Sequence, residues 1–126
     1  MSDSRSSPRY SKRLRAAFAV EDNGKRNSIQ GKSLDVSSDG ISFVSSRNIQ
    51  IGHEGNLFLM LNPGDAKNPP EVFETQCKVI SCVLSPQQGG FRLGLHFTKM
   101  SAENKQAFQK FLAPLMAHAR QAAHQA

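Results

Sequence analysis

Tryptophan is absent from this 126-residue chain, and Tyr10 is its one tyrosine. Barrels that read single-stranded nucleic acid stack bases on exposed aromatic rings. Their scarcity here counts against nucleic acid as a partner, because the best placed phenylalanines fall on strand faces that read as internal. His53, His118 and His124 are dispersed without metal-ligand spacing, and the two cysteines complete no zinc site. His96 reads as a surface residue. No Ser–His–Asp, Cys–His or paired-carboxylate arrangement emerges, so the sequence points away from an enzyme and calls for no metal or cofactor. No apolar run approaches the ~18 residues of a membrane span. The first residues are polar and charged, without the apolar stretch of a signal peptide. We therefore expect a cytoplasmic protein with no membrane insertion. Cys77 and Cys82 lie on one expected strand, ~16 Å apart and on opposite faces, whereas a disulfide needs Cα atoms within ~7 Å. Free thiols are expected.

Positive charge is what the chain has in surplus. Lysine and arginine number 16 against 10 acids, a net charge of +6. This balance favours anionic partners, whether nucleotides, nucleic acid or a membrane surface. The length suits one domain with a single core.

Residues 1–8 are dominated by serine and charge and read as a flexible tail. Alternation over 16–20 marks a first strand, and 22–25 a turn. Residues 29–36 form a weaker strand, Asp39-Gly40 turns the chain, and 41–44 continue as a third strand. In 57–61 every residue is apolar, so a closed barrel or a covering helix must bury both faces. The stretch 62–70, with three prolines, is a loop. Phe73, Thr75, Cys77 and Val79 share one face of the next strand. Alternation is lost over 80–84, as a bulge would cause. Phe91, Leu93, Leu95 and Phe97 give the clearest period of two.

Ser101 suits a helix N-cap, with Glu103 in the first turn. Phe108, Phe111, Leu112, Leu115 and Ala119 then keep helical spacing. Pro114 should kink or divide that helix, and the polar tail from Gln121 should fray. These elements define a mainly β chain: a six-stranded antiparallel barrel over about 14–98, closing its sheet edges. A C-terminal helix over about 101–117 and a polar tail over 118–126 follow.

Two short motifs carry chemistry. Arg9-Tyr10-Ser11-Lys12-Arg13 is an R-x-x-x-R just before the first strand. Asp35-Val36-Ser37-Ser38-Asp39-Gly40 is a D-x-S-x-x-G at the second strand's end, beginning 22 residues after Arg13. Alone, the first arises by chance in roughly one chain in three of this length, the second in roughly three per hundred. Each also has a plainer reading, a solvated basic leader and a tight Asp-Gly hairpin. Their order, with Gly94-Leu95-His96-Phe97 near the end of the last strand, resembles the PilZ domain family of bacterial cyclic di-GMP receptors. The resemblance covers about residues 8–115.

It implies a PilZ-like split barrel over 9–117 and cyclic di-GMP as ligand. Arg9 and Arg13, on a mobile segment, would close over the ligand through forked bonds to phosphate and guanine. Asp35 and Ser37 would hydrogen-bond a guanine, and Gly40 would leave room for it. Lys12, Arg15 and Gly94 are auxiliary candidates. Family members that capture a ligand dimer tend to carry an arginine where Pro8 stands, so the resemblance leans toward one ligand per domain and leaves the stoichiometry open. A stand-alone receptor of this kind would pass its signal to a separate effector protein controlling motility, pili, biofilm or exopolysaccharide. The competing readings are a basic barrel for single-stranded nucleic acid and a PilZ-like adaptor that binds only protein.

Overall fold

A computed structural model describes residues 7–22 and 24–125. Most of the residues expected in the flexible tail, and Asn23 of the expected turn, lie outside that range. The strands are β1 (Tyr10–Ser11), β2 (Arg15–Asp22), β3 (Lys25–Val36), β4 (Gly40–Ser45), β5 (Glu54–Asn62), β6 (Glu71–Ser85) and β7 (Gly90–Lys99). A 3-10 turn, Pro86–Gln88, joins the last two, and helix α1 (Ala102–Gln125) ends the chain. All pairings are antiparallel. The sheet runs β3-β2-β5-β6-β7-β4, and β4 returns to β3, closing a six-stranded barrel. Closure satisfies the edges that an open sheet would expose. Strand β1 lies end to end with β2 along the same side of β3.

Period-two patterning explains which residues turn inward. Phe18, Val20, Ile29, Ile41, Phe43, Leu57, Leu59, Phe73, Val79, Leu93 and Leu95 are buried in one cluster. Each such side chain contributes about 1.5–3 kcal/mol by leaving water. Strand β5 resolves its all-apolar stretch by direction: Leu57, Leu59 and Leu61 enter the core, while Phe58 and Met60 are half-buried outside. Phe108 of α1 plugs one end of the barrel. Its ring stacks on Phe73 at 4.7 Å between centroids and meets Phe97 edge-on at 5.3 Å.

Three expectations change. The bulge expected after Val79 is present, between Val79 and Ser81. It reverses the parity of the strand, so Cys82 pairs with inward-facing Leu93 instead of standing on the face opposite Cys77. Both thiols are free. Second, α1 is one helix through Gln125, neither divided at Pro114 nor ended at 117. Pro114 and Lys110 lie on the exposed face, where water can satisfy the carbonyl that proline's missing N–H leaves free. Alanines at 113, 117, 119, 122 and 123 favour continuing the helix. No helix is long and apolar enough to cross a membrane among the described residues.

Third, the arginine-bearing segment is not a free leader. Tyr10 pairs with Val36 and Ser11 with Asp35, and Tyr10 packs against the core. Backbone hydrogen bonding and that apolar contact both tie it to the barrel.

Candidate ligand-binding site

The site begins with mismatched strand lengths. Between the pairs Ser11–Asp35 and Arg15–Lys32, the β1–β2 edge carries Lys12, Arg13 and Leu14, while β3 carries only Ser33 and Leu34. The extra residue forces a bulge. Fully buried Ser33 stitches it: its hydroxyl donates to the Lys12 carbonyl at 2.6 Å and accepts the Leu14 N–H at 2.9 Å. Its own N–H donates to the Leu14 carbonyl at 2.9 Å. Leu14 is thereby turned into the core and Arg13 is left exposed at the crest. Arg13 borders a groove of about 290 Å³ with Lys32, Val44, Ser46 and Gln88.

A second irregularity sets the carboxylate. Strand β3 has one more residue than β4 between Ser33–Phe43 and Asp35–Ser42, and that residue is Leu34. Ile29, Gly31 and Ser33 face inward, so strict alternation would carry Asp35 into the barrel. With Leu34 interposed, Val36 is fully buried and Asp35 emerges on the outer face.

There Asp35 joins two arginines. Arg9 Nη1 donates to Asp35 Oδ1 at 2.6 Å and to the Ser42 hydroxyl at 3.4 Å. Arg92 Nη2 donates to Asp35 Oδ2 at 3.1 Å. Relative exposure is 16% for the Asp35 side chain, 27% for Arg9 and 52% for Arg92. The Arg92 bond is thus largely solvent-screened and worth at most about 1 kcal/mol. The inner bond to Arg9 is better sheltered. Two guanidiniums share one carboxylate, leaving net positive charge and spare donors. Arg92 is paired with Val44 across the ladder, and Val44 with Lys32. It therefore connects the Asp35 cluster to the Arg13 groove along one outer face.

The motif turn holds inward the Ser37 hydroxyl that the resemblance assigns to a guanine. Ser37 is fully buried. Its hydroxyl can donate to Asp39 Oδ1 at 2.6 Å or the Gly40 carbonyl at 3.2 Å, and it accepts the Asp39 N–H at 3.3 Å. It shapes the turn from within. Gly40 is pressed on β7: a Cβ there would stand 2.3 Å from the Leu95 carbonyl oxygen. The close approach that requires glycine is to a neighbouring strand, not to open surface. Gly94 is buried beside Ser42 on the ladder, and a Cβ there would meet the Ser81 hydroxyl at 2.3 Å.

Arg9 and Asp35 are thus brought into contact, and Arg13 stands nearby on the same face. Arg15 is exposed opposite Lys32, and Lys12 is half-buried. Sequence reasoning missed Arg92 and Ser42. Arg92 could have been found, since it precedes Gly94 by two and must share its face. Ser42 carries no signal beyond outward parity. Among the described residues no group of three or more His, Cys, Asp or Glu could hold a metal ion.

A closed barrel with a plugging helix, and arginines converging on an acid at a strand end, give the geometry with which the chain can be compared to known proteins. The family model that matches the chain is the PilZ domain, over residues 3–113. The chain belongs to the PilZ domain family, whose members are binding and receptor domains. No curated protein matches it. Solved structures with the same fold include the Bacillus subtilis inhibitor of motility MotI/DgrA, at a TM-score of 0.69 and 20% identity. That alignment covers 98% of this chain but 53% of MotI/DgrA, so the chain spans about half the length of that relative. The PilZ domain with c-di-GMP of YcgR from Escherichia coli aligns at a TM-score of 0.63 and 17% identity, over 98% of this chain and 100% of that one. A tetrameric PilZ domain from Xanthomonas campestris, self-assembled through a helical bundle, gives 0.63 at 18% identity, covering 93% and 91%.

Proposed function

We propose that this protein binds cyclic di-GMP on the outer face formed by β3, β4 and β7, and relays its presence to a partner protein. The observation that carries the reading is the Arg9–Asp35–Arg92 cluster with Arg13 beside it. Guanidiniums supply forked donors for phosphate and flat faces for guanine. Asp35 can accept from the N1 and N2 groups of a guanine. In the ligand-free arrangement Asp35 and its arginines satisfy one another. The ligand exchanges those bonds for its own: guanine replaces arginine at Asp35, and the released guanidiniums turn to phosphate.

Such an exchange has a structural consequence. Arg9 and Arg13 flank β1, which is held by a two-residue ladder and the Ser33 stitch. Drawing both arginines onto a ligand shifts this short segment relative to the barrel. A partner sensitive to its position then responds by differential affinity for the two arrangements. The output we assign is control of motility, pili, biofilm or exopolysaccharide through that partner. MotI/DgrA, described as an inhibitor of motility, supports the first of these.

Isothermal titration with cyclic di-GMP tests the reading. A micromolar dissociation constant corresponds to about 8 kcal/mol. Loss of one charge-assisted contact removes about 1.5–3 kcal/mol, so Arg13→Ala should weaken affinity at least about tenfold. Absence of heat and of amide shifts at tens of micromolar ligand would sink the assignment. An unchanged affinity in the variant would remove Arg13 from the site.

A further inference from the structure

The same motif turn walls a second concavity. Between Ser38–Asp39 and the first turns of α1 lies a groove of about 460 Å³, a size that suits recognition of a few side chains. Phe97, Met100, Phe108 and Leu112 form its apolar floor. Lys99 and Lys105, both exposed, stand on its rim. The one acid in the lining is Asp39, whose Oδ1 already accepts the Ser37 hydroxyl at 2.6 Å. Two lysines against one carboxylate leave the rim net positive, and an apolar floor under such a rim complements a chain segment with apolar anchors set among acids. It lacks the arginine forks that would select a nucleotide.

We propose that this groove docks an acidic segment of a partner protein that carries leucine or phenylalanine anchors. Its position gives the docking a link to the nucleotide, a part of the proposal that rests on the cyclic di-GMP reading. Asp39 forms the wall of the groove and lies inside the D-x-S-x-x-G turn. The Phe97 N–H on the floor donates to the Asp39 carbonyl at 2.9 Å, and Ser37 grips Asp39 from the other side. A ligand that moves the turn moves one wall of the groove.

The test uses the full 15N-labelled chain and two short synthetic peptides at millimolar concentration. Both carry leucine and phenylalanine anchors, one separated by glutamates and the other by lysines. The acidic peptide should shift the amides of Thr98, Lys99, Lys105 and Gln109, and the basic one should not. Lys99→Glu with Lys105→Glu should weaken the acidic peptide by about tenfold while leaving cyclic di-GMP affinity within about twofold. Saturating nucleotide should change the peptide's affinity by about fivefold, the scale of an ordinary coupling between sites. Equal response to both peptides, no groove shifts, or shifts confined to the Arg9–Arg92 face would each overturn the docking site. A peptide affinity indifferent to nucleotide would overturn the link. If the acidic peptide titrates the groove but cyclic di-GMP does not bind, the nucleotide reading falls and the docking surface stands. Nucleotide binding without groove shifts gives the reverse.

Discussion

The outer face around Asp35 and the barrel end under Phe108 use opposite physics. At the barrel end, Phe73, Phe97 and Phe108 bury their rings against one another, and Phe111 stacks on Phe108 at 6.0 Å. Such contacts have no better partner elsewhere, and they hold the fold together. At the outer face, one half-sheltered carboxylate is shared by two arginines. Those bonds contribute little to folding and can be traded for bonds to an anion. One end of the molecule is therefore committed and the other exchangeable.

The largest test of that division is Phe108→Ala. It removes a 2%-exposed ring from the centre of the aromatic cluster, and chemical denaturation should report a loss of about 3–5 kcal/mol. Nucleotide affinity measured well below the melting transition should stay close to wild type. Asp35→Ala should invert the pattern. We expect a loss of about 1.5–3 kcal/mol in cyclic di-GMP binding by titration calorimetry, with little change in melting temperature. A large fall in melting temperature in that variant would break the comparison.

Ser33→Ala probes the boundary between the two regions. It leaves the Leu14 N–H and Lys12 carbonyl without their buried partner, which costs about 1–3 kcal/mol. Hydrogen exchange should quicken at residues 12–14 first, and affinity should fall because Arg13 loses its fixed base. Cys77 supplies the effect that is mildest at neutral pH and grows only in alkali. Burial pushes its thiol from 9.0 to about 12, so the folded chain keeps a proton that the unfolded chain releases above pH about 9. This contribution is intact below that pH and declines as pH rises toward 12. The slope is at most about 1.4 kcal/mol per pH unit, and Cys77→Ala should remove it from urea melts. Iodoacetamide at pH about 8 should label half-buried Cys82 and spare Cys77.

Barrel and helix were legible because their signals are periodic: Phe91 to Phe97 reads as a strand without any knowledge of its neighbours. The arginine and aspartate motifs were legible as residue types with fixed order. Their arrangement was not. Ser37 has the chemistry of a ligand contact, yet which way its hydroxyl turns depends on Asp39 and Gly40 closing around it. The Arg9–Arg13 segment reads as a basic leader because its pairing partner, Val36, is distant in sequence. Arg92 lies 57 residues from the acid it binds, so only strand register joins them. Lost alternation over 80–84 flags the irregularity near Ile80, but the face Cys82 takes depends on where in that stretch the extra residue sits.

Leu34 acts as a frameshift within a strand. Iron it flat into the β4 ladder, and Asp35 would step into the position of an interior residue while Val36 would swing out to solvent. Remove it altogether, and Asp35 would still follow Ser33 outward, but Lys12, Arg13 and Leu14 would face Ser33 alone and the Lys12 N–H would lose the Leu34 carbonyl. Every letter of the D-x-S-x-x-G motif would survive either change, while its place beside the arginines would not. One residue that one neighbouring strand counts and the other skips is what seats acid and arginines on a common surface.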